Sequence, residues 1–175
     1  EPAIEDKIEA LYWMGGSLDG HGNVVDPCFD GTAEWNAFWD PEAVKRVWDS
    51  SLEIHMVGLE STEELPLTRE LCQHWATLRR YPALDLIGQG YALVLNVAAN
   101  NVYYLWDVLT TVYCLYADIA EVECVRCDVR VDGAAAGRTY RCEEGREVAL
   151  VTHADAERFY TLVDELAMSA APALY

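Results

Sequence analysis

The residues best suited to chemistry lie in one polar stretch and one later pair. The stretch contains Met14-Gly15-Gly16, Gly22-Asn23-Val24, Asp30-Gly31-Thr32-Ala33-Glu34-Trp35-Asn36 and Trp39-Asp40-Pro41-Glu42-Ala43, and the pair is Trp106-Asp107. Asn23, Glu34 and Asn36 could read a sugar, because amide and carboxylate side chains together donate to and accept from a row of hydroxyls. Glu34 and Asn36 are two apart, so an extended loop would put both on one side and Trp35 on the other. The competing reading is a solvated loop whose polar residues cap helices.

Other chemistries find little support. No GxSxG, P-loop or GxGxxG pattern occurs. The four histidines, His21, His55, His74 and His153, are scattered and no pair has metal-ligand spacing. His21 lies among the candidate residues and could touch a substrate, but a solvated loop histidine is the preferred reading. Asp19, His21 and Asn23 alternate as in a calcium loop, but the glycine and terminal glutamate of that motif are misplaced. Cys124 and Cys127 form a lone CxxC on a predicted strand, where positions three apart face opposite ways. With Cys28, Cys72, Cys114 and Cys142 they read as reduced thiols, in a chain too long and apolar to need a disulfide framework.

The elements that must position these residues alternate between strand and helix. Ile8 to Met14 reads as a buried strand stopped by Gly15-Gly16, and Ser17 to Trp39 as a long functional loop. Asp40-Pro41-Glu42 opens a helix, with a capping acceptor and then proline at the first helical position. Leu52 to Leu59 is a second strand, and Ser61 with Glu64 has the spacing of a capping box for the helix that follows. Pro66 would sit in that helix's first turn or end it, before Leu67, Leu71, Trp75 and Leu78 repeat at helical spacing. Asp85 to Val102 reads as a helix apolar almost all round and therefore buried, and Asp107 as the N-cap of a short helix. Strands at Val122 to Val131, Arg138 to Cys142 and Glu147 to Val151 precede a final helix with Ala156, Phe159, Tyr160, Val163 and Leu166 on one face. The class is α/β with an open, mostly parallel sheet flanked by helices, and such sheets bind ligands at the carboxyl ends of their strands.

Composition narrows the function classes. A chain of 175 residues with 52% hydrophobic residues, six Trp and ten Tyr is not intrinsically disordered. No apolar run is long enough for a membrane-spanning helix. The net charge of -18 argues against nucleic acid and anionic membrane surfaces as partners. It would raise the local concentration of cations, or simply solvate the surface. The N-terminus is polar and acidic rather than a signal peptide, which suggests a cytoplasmic location. It also lacks a start Met, as a processed or truncated chain would.

In order and spacing, the strings MGG, GNV, DGTAEWN and WDPEA, the strand LEIHMVGLE, then Trp106-Asp107-Val108-Leu109-Thr110, the GRT at Gly137 to Thr139 and the last helix resemble the C-terminal half of the nucleoside hydrolases. These are calcium-dependent N-ribohydrolases with an open α/β fold, and the resemblance covers nearly the whole chain. It implies that residues 1–175 are the C-terminal portion of one such domain, incomplete without an N-terminal half. It implies that Glu34 and Asn36 bind ribose hydroxyls, that Met14, Asn23 and Trp35 line the same pocket, and that Asp107 both ligates Ca2+ and touches the ribose. Trp106 resembles the purine-specific (inosine-adenosine-guanosine preferring) branch, where tryptophan replaces a histidine thought to protonate the leaving base. In that branch the purine is held between aromatic rings, and stacking is thought to make the base easier to protonate, so that no dedicated general acid is needed. Trp106 and Asp107 are thus the catalytic candidates, with core packing as the alternative for Trp106.

The clustered aspartates that supply the family's metal site and general base are not found here, since Asp26 and Asp30 lie in the wrong part of the pattern. Glu60-Ser61-Thr62 stands where many members have Asp-Val-Thr. Calcium takes 6–8 oxygen ligands, and one carboxylate supplies at most two. The expectation is a chain inactive alone, with an exposed apolar sheet edge, completed by the N-terminal half of the same protein or by a second chain. The implied partners are a purine nucleoside, in purine salvage, and possibly a second copy in a homo-oligomer. The alternative function is a catalytically inactive binding or assembly subunit.

Overall fold

A computed structural model describes residues 2–97 and 102–170 of the chain. The strand β1 (Ala10–Met14) leads through a long loop to α1 (Trp35–Trp39) and α2 (Pro41–Trp48), then to β2 (Glu53–Val57). Next come the helices α3 (Leu59–Thr62), α4 (Arg69–Thr77), α5 (Pro82–Val97) and α6 (Trp106–Leu115). The chain closes with β3 (Ala120–Val129), β4 (Thr139–Arg141), β5 (Arg146–Ala154) and α7 (Ala156–Met168).

The five strands form one mixed sheet in the order β1-β2-β5-β3-β4. β1, β2 and β5 run parallel, β3 runs against β5, and β4 runs against β3. Four strands therefore share one direction and only β3 opposes them, as the mostly parallel expectation requires. β1 forms one edge, its Leu11, Tyr12 and Trp13 half-buried.

Alternation along the strands fills two cores, one on each face. Leu11, Trp13, Ile54, Met56, Val148 and Leu150 face Val44, Val47 and Trp48 of α2. Tyr12, Val57 and Val151 face the opposite way, toward Trp75 of α4, Leu109 and Val112 of α6, and Phe159 and Leu162 of α7. Trp75 is 1% exposed, and its indole N–H donates to Asp164 Oδ1 of α7 at 3.0 Å.

Several expectations need correction. Residues 35–39, read as loop, form a helix. The helix expected at Asp85 to Val102 begins at Pro82, and its residues 98–101 lie outside the described structure. It is not buried all round: Leu86 is 75% and Leu93 70% exposed. Among the described side chains of this helix, the stripe of Leu84, Ile87 and Tyr91 packs against the core, at helical spacing. Ser61 caps nothing, because α3 starts directly after β2 with Gly58 at its N-cap. The Ser61 and Thr62 hydroxyls instead turn back to the Gly58 carbonyl. Pro66 lies in extended backbone bridged to Tyr104, and α4 is capped by Thr68. The Asp40 cap at α2 and the outward Cys124 opposite the buried Cys127 agree with expectation. All six cysteines are free.

Candidate active site

The site opens at the carboxyl ends of β1 and β2. A cavity of about 770 Å³ there is lined by Met14, His21, Asn23, Glu34, Trp35, Asn36, Glu63, Val102, Tyr103, Tyr104, Trp106 and Asp107. All seven residues singled out from the sequence thus share one cavity, of a size that takes a small organic ligand.

Backbone hydrogen bonds hold the wall that follows β1. Gly15 N–H donates to the Val57 carbonyl at 3.2 Å and Leu59 N–H to the Gly16 carbonyl at 3.1 Å, tying the loop to the end of β2. The Thr139 hydroxyl accepts from Ser17 N–H at 2.8 Å and donates to the Ser17 carbonyl at 2.9 Å. Glu60 Oε1 accepts from Leu18 N–H, and from Asp19 N–H at 3.2 Å. Gly16 has φ +75°, and a Cβ there would lie 2.5 Å from Met56 Cε, so the turn needs glycine.

Glu34 joins this wall to α1. It is 2% exposed and is the N-cap of the helix. Its Oε2 accepts from Gly16 N–H at 2.9 Å, Asn36 N–H at 3.0 Å and Ala37 N–H at 3.2 Å. Among the described residues its Oε1 accepts only from Asn36 N–H, at 3.0 Å, and so keeps capacity for a ligand hydroxyl. Burial pushes the Glu34 carboxyl above the usual range; the three N–H groups pull it back, and the Asp107 charge raises it further. The extended-loop geometry expected for Glu34 and Asn36 is replaced by a helix start, yet both still line the cavity. Asn36 Nδ2 donates to the Met14 carbonyl at 3.1 Å, and Asn23 Oδ1 accepts from Trp35 N–H at 2.8 Å. Trp35 also lines the cavity, packed against Phe38 and Trp39.

The facing wall is set by a pairing distant in sequence. Leu67 N–H donates to the Tyr103 carbonyl at 2.7 Å, and Leu105 N–H to the Leu65 carbonyl at 3.0 Å. This brings Tyr103, Tyr104, Trp106 and Asp107 over the site. The Trp106 ring stands edge-on to Tyr103, with centroids 4.6 Å apart, and to Tyr104 at 5.8 Å. Its indole nitrogen is buried with no partner among the described residues. Trp106 is thus a half-buried cavity wall rather than core.

Asp107 does not cap α6. Leu105 occupies the cap position without a side-chain bond, and Asp107 is the second residue of the helix, where the helix dipole favours a negative charge. Its exposed carboxylate has no hydrogen-bond partner among the described residues.

Sequence reasoning left Tyr103, Tyr104 and Glu63 unassigned, and gave Glu60 and Thr139 no physical role. The Ser17–Thr139 bonds and the strip joining residues 65–67 to 103–105 leave no local pattern to read. His21 does line the cavity, whereas His55, His74 and His153 pair elsewhere with Glu53, Asp164 and Glu64. Among the described residues, no three His, Cys, Asp or Glu side chains gather as a metal site.

An α/β sheet with a cavity of about 770 Å³ at its strand ends, polar on one wall and aromatic on the other, defines a ligand-binding protein of the open-sheet class. Within that class, the chain belongs to the inosine-uridine preferring nucleoside hydrolase family, whose sequence model matches residues 1–161. It is similar to the solved inosine-uridine preferring nucleoside hydrolase of Bacillus anthracis, with 44% identity and a TM-score of 0.88 over 97% of this chain and 54% of that one. The inosine-uridine preferring nucleoside hydrolase of Leishmania major is 26% identical over 136 residues, 77% of this chain and 41% of that protein. The pyrimidine-specific ribonucleoside hydrolase of Escherichia coli O1:K1 is 38% identical over 71 residues, 41% of this chain and 21% of that protein. The chain thus spans about half the length of the Bacillus anthracis protein and less of the other two.

Proposed function

We propose that this chain is the C-terminal portion of a purine nucleoside N-ribohydrolase, which cleaves the N-glycosidic bond to release base and ribose. The observation that carries the reading is the joint placement of Glu34, Asn36 and Asp107 with Trp106 in one cavity of about 770 Å³. In this reading the ribose hydroxyls meet Glu34 Oε1, the Asn36 amide and the Asp107 carboxylate, while Met14 and Asn23 line the sugar end. The base meets the rings of Trp106, Tyr103 and Tyr104, which offer a flat purine a large apolar contact.

The residues present fit a calcium ion only in part. Asp107 offers one unpartnered carboxylate, and no further acid cluster stands beside it among the described residues. Asp107 would be one ligand, the others coming from outside this chain. The ion, when bound, would acidify and hold a water. What the described residues do themselves is bind and orient the sugar and cover the base. A cytoplasmic setting suits six free thiols. Among the described residues, no helix is long and apolar enough to cross a membrane.

The test is base release by the full-length protein from inosine, guanosine, adenosine and uridine, with calcium supplied. The reading predicts kcat/KM for the best purine nucleoside at least about 10-fold above uridine, roughly the discrimination pocket shape alone can give. A uridine rate equal to or above the purine rates would overturn the purine assignment. No release from any of the four would overturn the hydrolase reading.

A further inference from the structure

The stretch from Gly16 to Asn23 joins two of the sugar contacts proposed above. At its start, Gly16 N–H donates to Glu34 Oε2 at 2.9 Å. At its end, Asn23 Oδ1 accepts from Trp35 N–H at 2.8 Å, while Asn23 Nδ2 has no partner among the described residues and is left to donate to a ligand hydroxyl. Two side chains from distant elements hold the backbone between. The Thr139 hydroxyl takes Ser17, at both its N–H and its carbonyl. Glu60 takes the next two residues: its Oε1 accepts from Leu18 N–H, and from Asp19 N–H at 3.2 Å. Asp19 passes the constraint on, because its Oδ1 accepts from the Ser17 hydroxyl at 2.7 Å and from His21 N–H at 2.8 Å. The Gly31 and Ala33 carbonyls then receive Gly22 N–H at 3.1 Å and Asn23 N–H at 3.2 Å.

Glu60 does not itself line the cavity. Its placement is nonetheless built. Its Oε2 is buried with no partner among the described residues, an arrangement that costs stability. Gly58 makes the room for it: a Cβ there would overlap Glu60 Oε2 and stand 3.0 Å from the Gly16 carbonyl oxygen. The backbone does not require glycine at that position, since φ is −85° and ψ −178°, which any residue adopts. What glycine spares there is space for the carboxylate. A side chain kept at that cost, and bonded to the loop rather than to its own helix, has its work in the loop.

We propose that Glu60 is a positioning residue for ribose recognition, an inference that rests on the hydrolase reading above. It fixes residues 18–21 so that Glu34, through Gly16, and Asn23 meet the sugar in one fixed arrangement. Without it, the residues between Ser17 and Gly22 keep only the bonds that Asp19 makes to its own neighbours, and the wall is free to shift. Glu60 acts through the loop and touches no substrate.

The experiment uses the full-length protein with calcium and inosine, and compares Glu60→Ala, Glu60→Gln, Gly58→Ala and the double variant Gly58→Ala/Glu60→Ala. Misplacing a binding group by about 1 Å costs up to about 100-fold, so Glu60→Ala should lose about 10- to 100-fold in kcat/KM. Glu60→Gln keeps an acceptor oxygen for Leu18 and Asp19 and should stay within about threefold of the parent. Gly58→Ala keeps the carboxylate but displaces it, and should lose as much as Glu60→Ala. The double variant has no carboxylate to displace, so it should lose no more than Glu60→Ala alone. Amide hydrogen exchange across residues 17–23 should quicken in Glu60→Ala and Gly58→Ala but not in Glu60→Gln, with thermal melting showing each variant folded at the assay temperature. Parent-like kcat/KM or exchange in Glu60→Ala or Gly58→Ala would overturn the proposal. So would a Glu60→Gln variant as damaged as Glu60→Ala, or losses that multiply in the double variant. A parent that releases no base while the exchange still quickens would remove the hydrolase reading, and would reduce Glu60 to an anchor of the loop.

Discussion

Replacing Glu34 with alanine tests the architecture of the sugar wall. The side chain is 2% exposed and serves Gly16, Asn36 and Ala37 N–H at 2.9, 3.0 and 3.2 Å. Its loss strands three donors, two of them in the first turn of α1. A hydrogen bond to a charged group contributes about 1.5–3 kcal/mol, and an N-cap about 1 kcal/mol. These terms overlap, and the cost of burying the carboxylate offsets part of them. A net loss of about 3 kcal/mol follows, or roughly 6–12 °C in Tm for a domain of this size. Glu34→Gln keeps one carbonyl acceptor and should lose about half as much. Urea unfolding followed by tryptophan fluorescence reads the difference. A Glu34→Ala variant within about 0.5 kcal/mol of the parent, the range of an inert surface change, would refute the reasoning. The same side chain carries a pH signature. Because burial raises its folded pKa, its protonated form adds stability that is fully present below the ordinary glutamate value of about 4.3 and is lost as pH rises through the folded value. Glu34→Gln should remove that decline.

Other perturbations separate site from scaffold. Asp107→Ala should change stability by less than about 0.5 kcal/mol, because its carboxylate is exposed and has no partner among the described residues, yet cut base release by at least about 100-fold; an active variant would count against the sugar and metal role. Gly137→Ala should destabilise by about 2 kcal/mol, since φ is +89° and the new Cβ would stand 2.6 Å from Phe38 Cα; a neutral result in thermal melting would show that α1 can move aside. The Glu64 carboxylate raises the pKa of His153 through their hydrogen bond, so their pairing stabilises the fold below about 6.5 and is lost as pH rises through the folded value. Glu64→Gln should flatten the stability profile in that window, and an unaltered slope would assign it to other groups.

How far the sequence could be read depends on how local each determinant is. The strand ending at Met14, the Asp40-Pro41 helix start and the capped final helix were legible because each is fixed by neighbours along the chain. The helix α1 was hidden because its cap is a glutamate, a residue that seldom caps; its side chain accepts from Asn36 and Ala37 N–H while Gly16 N–H, eighteen positions away, helps hold it in place. Ser61 and Glu64 imitate a capping box, but the end of β2 had already started α3 at Gly58. The burial of α5 was overestimated because composition does not say which stripe meets α4 and α7. The seven candidate residues that line one cavity were singled out through spacing and family resemblance, since no single motif among them is decisive. Tyr103, Tyr104 and Glu63 depend on how residues 65–67 meet residues 103–105, and that pairing is tertiary.

The central claim is that this cavity holds a nucleoside by its sugar. A crystal structure of the full-length protein with a bound non-hydrolysable purine nucleoside analogue tests it most directly. The account predicts ribose hydroxyls within hydrogen-bond distance of Asp107, Asn36 Nδ2 or Oδ1, and Glu34 Oε1, with the base against Trp106. An analogue bound with its sugar away from these three side chains, or outside the cavity, would contradict it.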